Sequence, residues 1–265
     1  MRKGRSHDLG KMNLPQLWKA YLTYPTILLY FSIIIASAAA TFWFWTSFWA
    51  AFLPMVAVIL VFPVVWYVIH RWIMHGRWFY RNPLTAKMWK RIHWDHHQDP
   101  HKLEVLFGSP LHTVPTASSI ALPLGYLMGG WSGAFSALGT AVSMACIYEF
   151  FHCLQHLNYK PKWDWVVYIV QLHILHHFHD EDGNFGITNY LLDRMLGTFY
   201  RTAKDRPRSK FVFNLGYNME EAQRYPWVMR HTGAPPRHRP DPARVPHTPQ
   251  FRNPQSRKAA KLGVG

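Results

Sequence analysis

Ten histidines between His70 and His177 fall into four ordered clusters. They are His70 and His75; His93, His96 and His97; His152 and His156; and His173, His176 and His177. The order HxxxxH, HxxHH, HxxxH, HxxHH reads as two pairs of clusters. Neutral imidazole is a nitrogen donor that suits iron, zinc, copper or nickel. A closed structural zinc site uses four ligands, so ten imidazoles exceed what one ion can take. The pattern predicts two metal ions with about five donors each, leaving room for a small molecule.

Spacing supports convergence. Residues three and four apart share a helix face, so each HxxHH triplet and the His152–His156 pair can point one way. His70 and His75 are five apart and align less well, which suits a helix end with the second ring on a turn. A metal-bound imidazole usually donates its other ring N–H to a carboxylate. Glu149 lies three residues before His152 and seven before His156, at the end of an apolar run where a charge needs a partner. It is expected to orient one of those rings and not to bind metal. Asp95, Asp99, Asp180 and Asp193 serve equally well as solvated loop acids. His101, His112 and His179 are expected to be supporting or structural.

The elements that must position these rings are apolar. Of the 265 residues, 49% are hydrophobic. Not one Asp, Glu, Lys or Arg lies between Pro25 and Ile69. A spanning helix needs about 20 apolar residues, so this stretch holds two, with a break near Trp43 to Trp49. Leu111 to Met128 and Ala134 to Phe151 are two more, joined by the uncharged turn Gly129-Gly130-Trp131-Ser132-Gly133. The expected fold is therefore all-α and membrane-integral. About four transmembrane helices form two hairpins under a helical cap that holds the histidine site. Residues 1–25 form a basic, amphipathic N-terminal segment and 26–200 the membrane-embedded domain. Residues 201–265 form a polar, Pro/Arg-rich tail, partly disordered.

The formal charge is +15, but the basic residues flank apolar runs and no nucleic-acid motif is visible, so anionic lipid headgroups are the expected partner. Basic residues cluster at the N-terminus, in 70–102 and after Lys160, while the turns near Trp45 and Gly130 have none. By the positive-inside rule all four clusters lie on the cytoplasmic face. Cys146 and Cys153 share an apolar face and are expected as buried thiols.

The four ordered clusters resemble those of the fatty acid hydroxylase / sterol desaturase superfamily of membrane-bound di-iron oxygenases. So does the closing stretch Asn184-Phe185-Gly186-Ile187-Thr188, Asp193, Gly197-Thr198, although Leu192 stands where the family has Trp. Glu149 matches the family's acid three before the third cluster. The resemblance covers roughly His70 to Tyr200. It implies two iron ions (zinc being possible as isolated) with O2 as co-substrate. Hydrogen is removed from an unactivated C–H of a membrane lipid, a fatty acyl chain or sterol, to give an alcohol or an alkene. A carotenoid-type hydroxylase and a histidine-rich membrane metal transporter are the alternatives. No iron–sulfur cysteine set, GxGxxG loop or cytochrome b5-like domain is visible. Electrons are therefore expected from an external ferredoxin- or cytochrome-type donor with its reductase.

Overall fold

A computed structural model of the chain describes residues 7–236. Among them the regular elements are helices, with one isolated bridge between Asp8 and Lys102. After a 3-10 turn at Leu9–Lys11, α1 (Leu14–Leu22) starts from an Asn13–Gln16 capping box. The uncharged run then breaks where its aromatic residues crowd. Helix α2 is Pro25–Trp43, and α3 is Phe48–Val68, capped by the Ser47 hydroxyl accepting from the Ala50 N–H. Pro54 and Pro63 lie inside α3, as membrane helices tolerate.

Short elements follow: a π-helix at Ile69–Met74, α4 (Arg77–Arg81), α5 (Pro83–Trp89), a second π-helix at Lys90–Trp94, α6 (Asp95–Gln98) and α7 (Leu103–Leu106). Helix α8 (Pro110–Gln155) consists of two helical segments, and the chain folds back on itself between them at Gly129 and Gly130, where the backbone leaves helical geometry. Gly130 has φ +61°, ψ −150°, a region essentially closed to residues with a side chain. The reversal brings Gly125 against Gly133, where an added Cβ would lie 2.2 Å from the Gly133 carbonyl oxygen. Two segments of α8 thus pack as a hairpin. Small residues let membrane helices approach closely, and Ala121, Ala137 and Ala141 pack with Val58 of α3 in the same way. Ser136 donates to the Ala51 carbonyl (2.8 Å) and Ser132 to that of Thr41 (3.3 Å), tying the hairpins together.

Both turns sit at one end, since Phe44 packs on Trp131 and Phe135. The histidines lie at the other end. Three stretches are long and apolar enough to cross a membrane: Pro25–Trp43, Phe48–Met74 and Leu103–Gln155, the last being the one folded on itself. The first two are only 22% and 17% buried. Apolar surface on that scale is not left bare to water, and the chain is a membrane protein.

The cap closes with α9 (Asp164–Phe178), α10 (Leu191–Met195), α11 (Met219–Arg224) and α12 (Trp227–Thr232). Helix α1, in the amphipathic N-terminal segment, packs into the protein: Leu17 and Tyr21 are buried in a core with Leu103, Phe107, Cys146, Cys153 and Val166. Packing also continues past residue 201, where the polar tail was expected to begin. Leu215, Tyr217, Ala222 and Val228 are buried with Tyr80, Trp89 and Trp94. A few well-placed apolar side chains suffice there, although the stretch is polar on average. The disorder expected of the tail also concerns residues from 237 onward, which lie outside the described residues.

Candidate metal centre

The structure brings all ten cluster histidines into one buried region. His70, His75, His93 and His176 form one group of converging ring nitrogens. His96, His152, His156, His173 and His177 form a second, and His97 lies within reach of His176 and His177. Within each group the donor atoms are within 4.8 Å of one another.

This grouping differs from the pairing suggested by chain order. His96 joins the later clusters and His176 the earlier ones. The reason is the helical screw: neighbouring residues on a helix point about 100° apart. Each His-His dipeptide therefore divides its two rings between two centres. The HxxxxH spacing is resolved by the backbone as well. The His75 N–H bonds to the His70 carbonyl (3.1 Å), the i to i+5 bond of a π-turn. The wider turn realigns residues five apart. The second π-helix carries His93, and single π-turns recur at functional sites.

Tautomers follow from the partners. A carbonyl oxygen only accepts, so a ring nitrogen facing one must carry the proton. His70 Nδ1 donates to Phe185 (2.6 Å), His97 Nδ1 to Val212 (3.0 Å) and His176 Nδ1 to Gly183 (2.7 Å). Burial holds the His97 imidazolium down to about 3 and that of His176 well below its usual range. The rings are therefore neutral, and their Nε2 atoms carry lone pairs directed inward.

These lone pairs are what a cation would satisfy. His70, His75 and His97 all aim Nε2 at His93 Nε2, at 3.0, 2.9 and 3.1 Å. One nitrogen offers a single proton or a single lone pair, so it cannot answer three. In the second group His96 and His177 meet at 3.1 Å and His156 and His173 at 2.9 Å, and His152 Nε2 has no protein partner. Ligands about 2.1 Å from an ion and at right angles lie about 3 Å apart. The donor set thus fits metal in both groups. The Phe185 ring walls the first, with centroids 5.6, 5.1 and 5.7 Å from His70, His75 and His176.

Residues 55–198 match the family described as fatty acid hydroxylase, more than half of the chain. The chain belongs to the fatty acid hydroxylase family. A dihydroceramide fatty acyl 2-hydroxylase of Arabidopsis thaliana, FAH2, is 28% identical over 159 residues, 55% of this chain and 62% of that protein. The match thus spans less than two thirds of that relative's length. The fold is similar to that of scs7p, whose hydroxylase domain is visible. The TM-score is 0.59 at 20% identity, over 72% of this chain and 69% of that one. At this identity the likeness speaks for the fold.

The closing stretch shared with the family is a scaffold for His70. Asp193 is fully buried, and its two oxygens accept from the Phe185 and Gly186 N–H groups, both at 2.9 Å. The Thr198 hydroxyl also donates to it (2.7 Å), and Tyr67 joins Thr198 at 2.9 Å. Asn184 adopts φ +55° and closes on Tyr200 through two hydrogen bonds. The Phe185 peptide is thereby fixed, and its carbonyl fixes His70.

Glu149 is placed differently from expectation. Its Oε1 accepts from the Gly108 N–H (3.0 Å) and its Oε2 has no partner. Among the described residues it forms no hydrogen bond with His152 or His156. It shares their helix, but its turn faces the loop before α8. Backbone carbonyls, which no residue type announces, orient His70, His97 and His176, while the His156 Nδ1 has no protein partner. Of the accessory histidines, His101 donates to the His156 carbonyl (3.0 Å) and His179 to that of Arg206 (2.8 Å), both supporting roles.

Proposed function

We propose that this chain is a membrane-bound di-iron hydroxylase that converts an unactivated C–H of a fatty acyl chain into an alcohol. The observation that carries this reading is the pair of imidazole groups with inward lone pairs, set at one end of membrane-length hairpins in a fatty acid hydroxylase fold. His70, His75, His93 and His176, with His97, would hold one iron. His96, His152, His156, His173 and His177 would hold the other. Two bound irons supply the activation of O2. The chain's own part is to keep these nitrogens neutral and aimed, and to exclude water from the buried centre.

An acyl substrate is supported by the relative whose name is a fatty acyl 2-hydroxylase. The position of the site at the ends of apolar helices lets such a chain enter from the bilayer. The balance is RH + O2 + 2e⁻ + 2H⁺ → ROH + H2O. The electrons come from a separate ferredoxin- or cytochrome-type donor with its reductase. Exposed Arg77, Lys87, Arg201, Lys204 and Lys210 offer it a basic face. The basic flanks of the hairpins support a cytoplasmic position for this face.

The test is lipid mass spectrometry on cells with and without the gene, together with iron analysis of purified protein. The expected result is a lipid heavier by one oxygen and close to two irons per chain. His97→Ala and His177→Ala should lower both. A lipid lighter by two hydrogens would make the enzyme a desaturase. An unchanged lipidome from iron-loaded protein supplied with donor and reductase would overturn the reading.

A further inference from the structure

Residues 209–232 lie beyond the stretch matched to the family, yet they reach the metal centre. The first two ring acceptors, the carbonyls of Phe185 and Gly183, are inside residues 55–198; the acceptor for His97 is the carbonyl of Val212. Next to it, the Gln98 side-chain amide donates to the Phe213 carbonyl. The Ser209 N–H donates to the His179 carbonyl (2.8 Å), so the segment is joined both to α6 and to the residue that follows α9.

Its path is costly and held. Leu215 adopts φ +52°, a conformation that costs a residue with a side chain about 1–2 kcal/mol. At Gly216 (φ +78°) an added Cβ would lie 2.6 Å from Arg77 Nε, so the backbone runs directly against that guanidinium. What holds the path is the packing downstream. The Phe213 ring meets Phe178 at 5.8 Å, and Leu215 and Tyr217 are buried beside Tyr80 and Trp89. Glu221 then clamps α11 to α4. It accepts from Arg81 Nε (3.1 Å) and Nη2 (3.0 Å) and from the Tyr80 hydroxyl (2.7 Å).

We infer that this C-terminal segment is a positioning arm for His97, fixing one metal-directed ring from outside the family's matched region through the Val212 carbonyl. The inference rests on the metal-centre reading above. Without that carbonyl the His97 ring is free to turn or to move its proton to Nε2, and its lone pair no longer faces the first group.

Cobalt(II) titration of the full chain in lipid nanodiscs tests it, read by the two stepwise affinities and the d–d absorption. Gln98→Leu and Glu221→Ala loosen the arm without touching a candidate ligand. Each is expected to weaken one cobalt affinity by about 10–100-fold, the usual effect of losing an outer partner of a metal ligand. The other affinity stays at its wild-type value. Glu221→Asp, which keeps the charge, is expected to restore the first. The inference is overturned if both affinities are unchanged in both variants. It is equally overturned if both fall together with the helical melting transition, since that would be a loss of fold. Wild-type protein that takes up neither cobalt nor iron would remove the metal-centre reading itself, and the arm with it.

Discussion

At the scale of single residues, Asp193 shows how far a carboxylate can act. Both of its oxygens hold backbone N–H groups, and the effect reaches His70 only through the Phe185 peptide. Asp193→Asn puts an NH2 group where one of those N–H donors must be met. It should weaken metal binding by about 10-fold or more, as measured by competition with a chelator. Equal affinity would show that the peptide holds itself. Glu181 gives a second prediction. It is 3% exposed, with one oxygen unpartnered, and burial raises its pKa to about 7 from 4.5. The folded chain then binds more protons than the unfolded chain between these values. Stability is full below pH 4.5 and falls as pH rises through 7. Glu181→Gln should remove this slope, gaining about 3 kcal/mol on wild type at pH 8 and little at pH 4. Denaturation at the two pH values checks it, and parallel curves would refute it. The ten histidines were legible in the sequence because side-chain type and spacing announce them. The acceptors of His70, His176 and His97 were not, since Phe185, Gly183 and Val212 act through backbone atoms common to every residue.

At the scale of elements, the hairpins were legible because a membrane helix must satisfy its own backbone, so apolar length alone nearly dictates it. The π-turns were not, because a widened turn carries no composition of its own; only the awkward HxxxxH spacing hinted at one. The arm was hidden for another reason. Val212, Leu215, Tyr217 and Val228 are thinly spread through polar sequence, and each is nonetheless buried. The turn in α8 yields a graded prediction. At Gly129 a Cβ would meet the Ala50 carbonyl oxygen at 1.9 Å, whereas at Gly197 (φ +70°) nothing lies within 4 Å. Gly197→Ala should cost about 1–2 kcal/mol of backbone strain alone. Gly129→Ala, at negative φ, lacks that strain but must push α3 from α8, and should leave little monodisperse protein in detergent. Similar thermal stability of the two would show that the hairpin is looser than its contacts imply.

At the scale of the whole molecule, both turns lie far from the histidines, which makes sidedness testable. Cysteines placed at Ser47 and Trp131, both exposed, should label only from the non-cytoplasmic side. Cys146 and Cys153 are buried and should give little background. Labelling of either new site from the cytoplasm would break the two-hairpin topology. Donor docking on the basic cap should weaken as salt rises, because exposed charges are screened beyond about 10 Å at 0.1 M. Turnover with a saturating small-molecule reductant should not change with salt, and a shared salt dependence would point away from docking. The division of each His-His dipeptide between two centres has a consequence for the assembled molecule. Successive residues on a helix differ by about 1.5 Å of rise and 100° of rotation. The His96–His97 and His176–His177 steps therefore act as two gauge blocks cut from backbone. Whatever lipid arrives or electron is delivered, the offset between the two donor groups is set by the pitch of two helices.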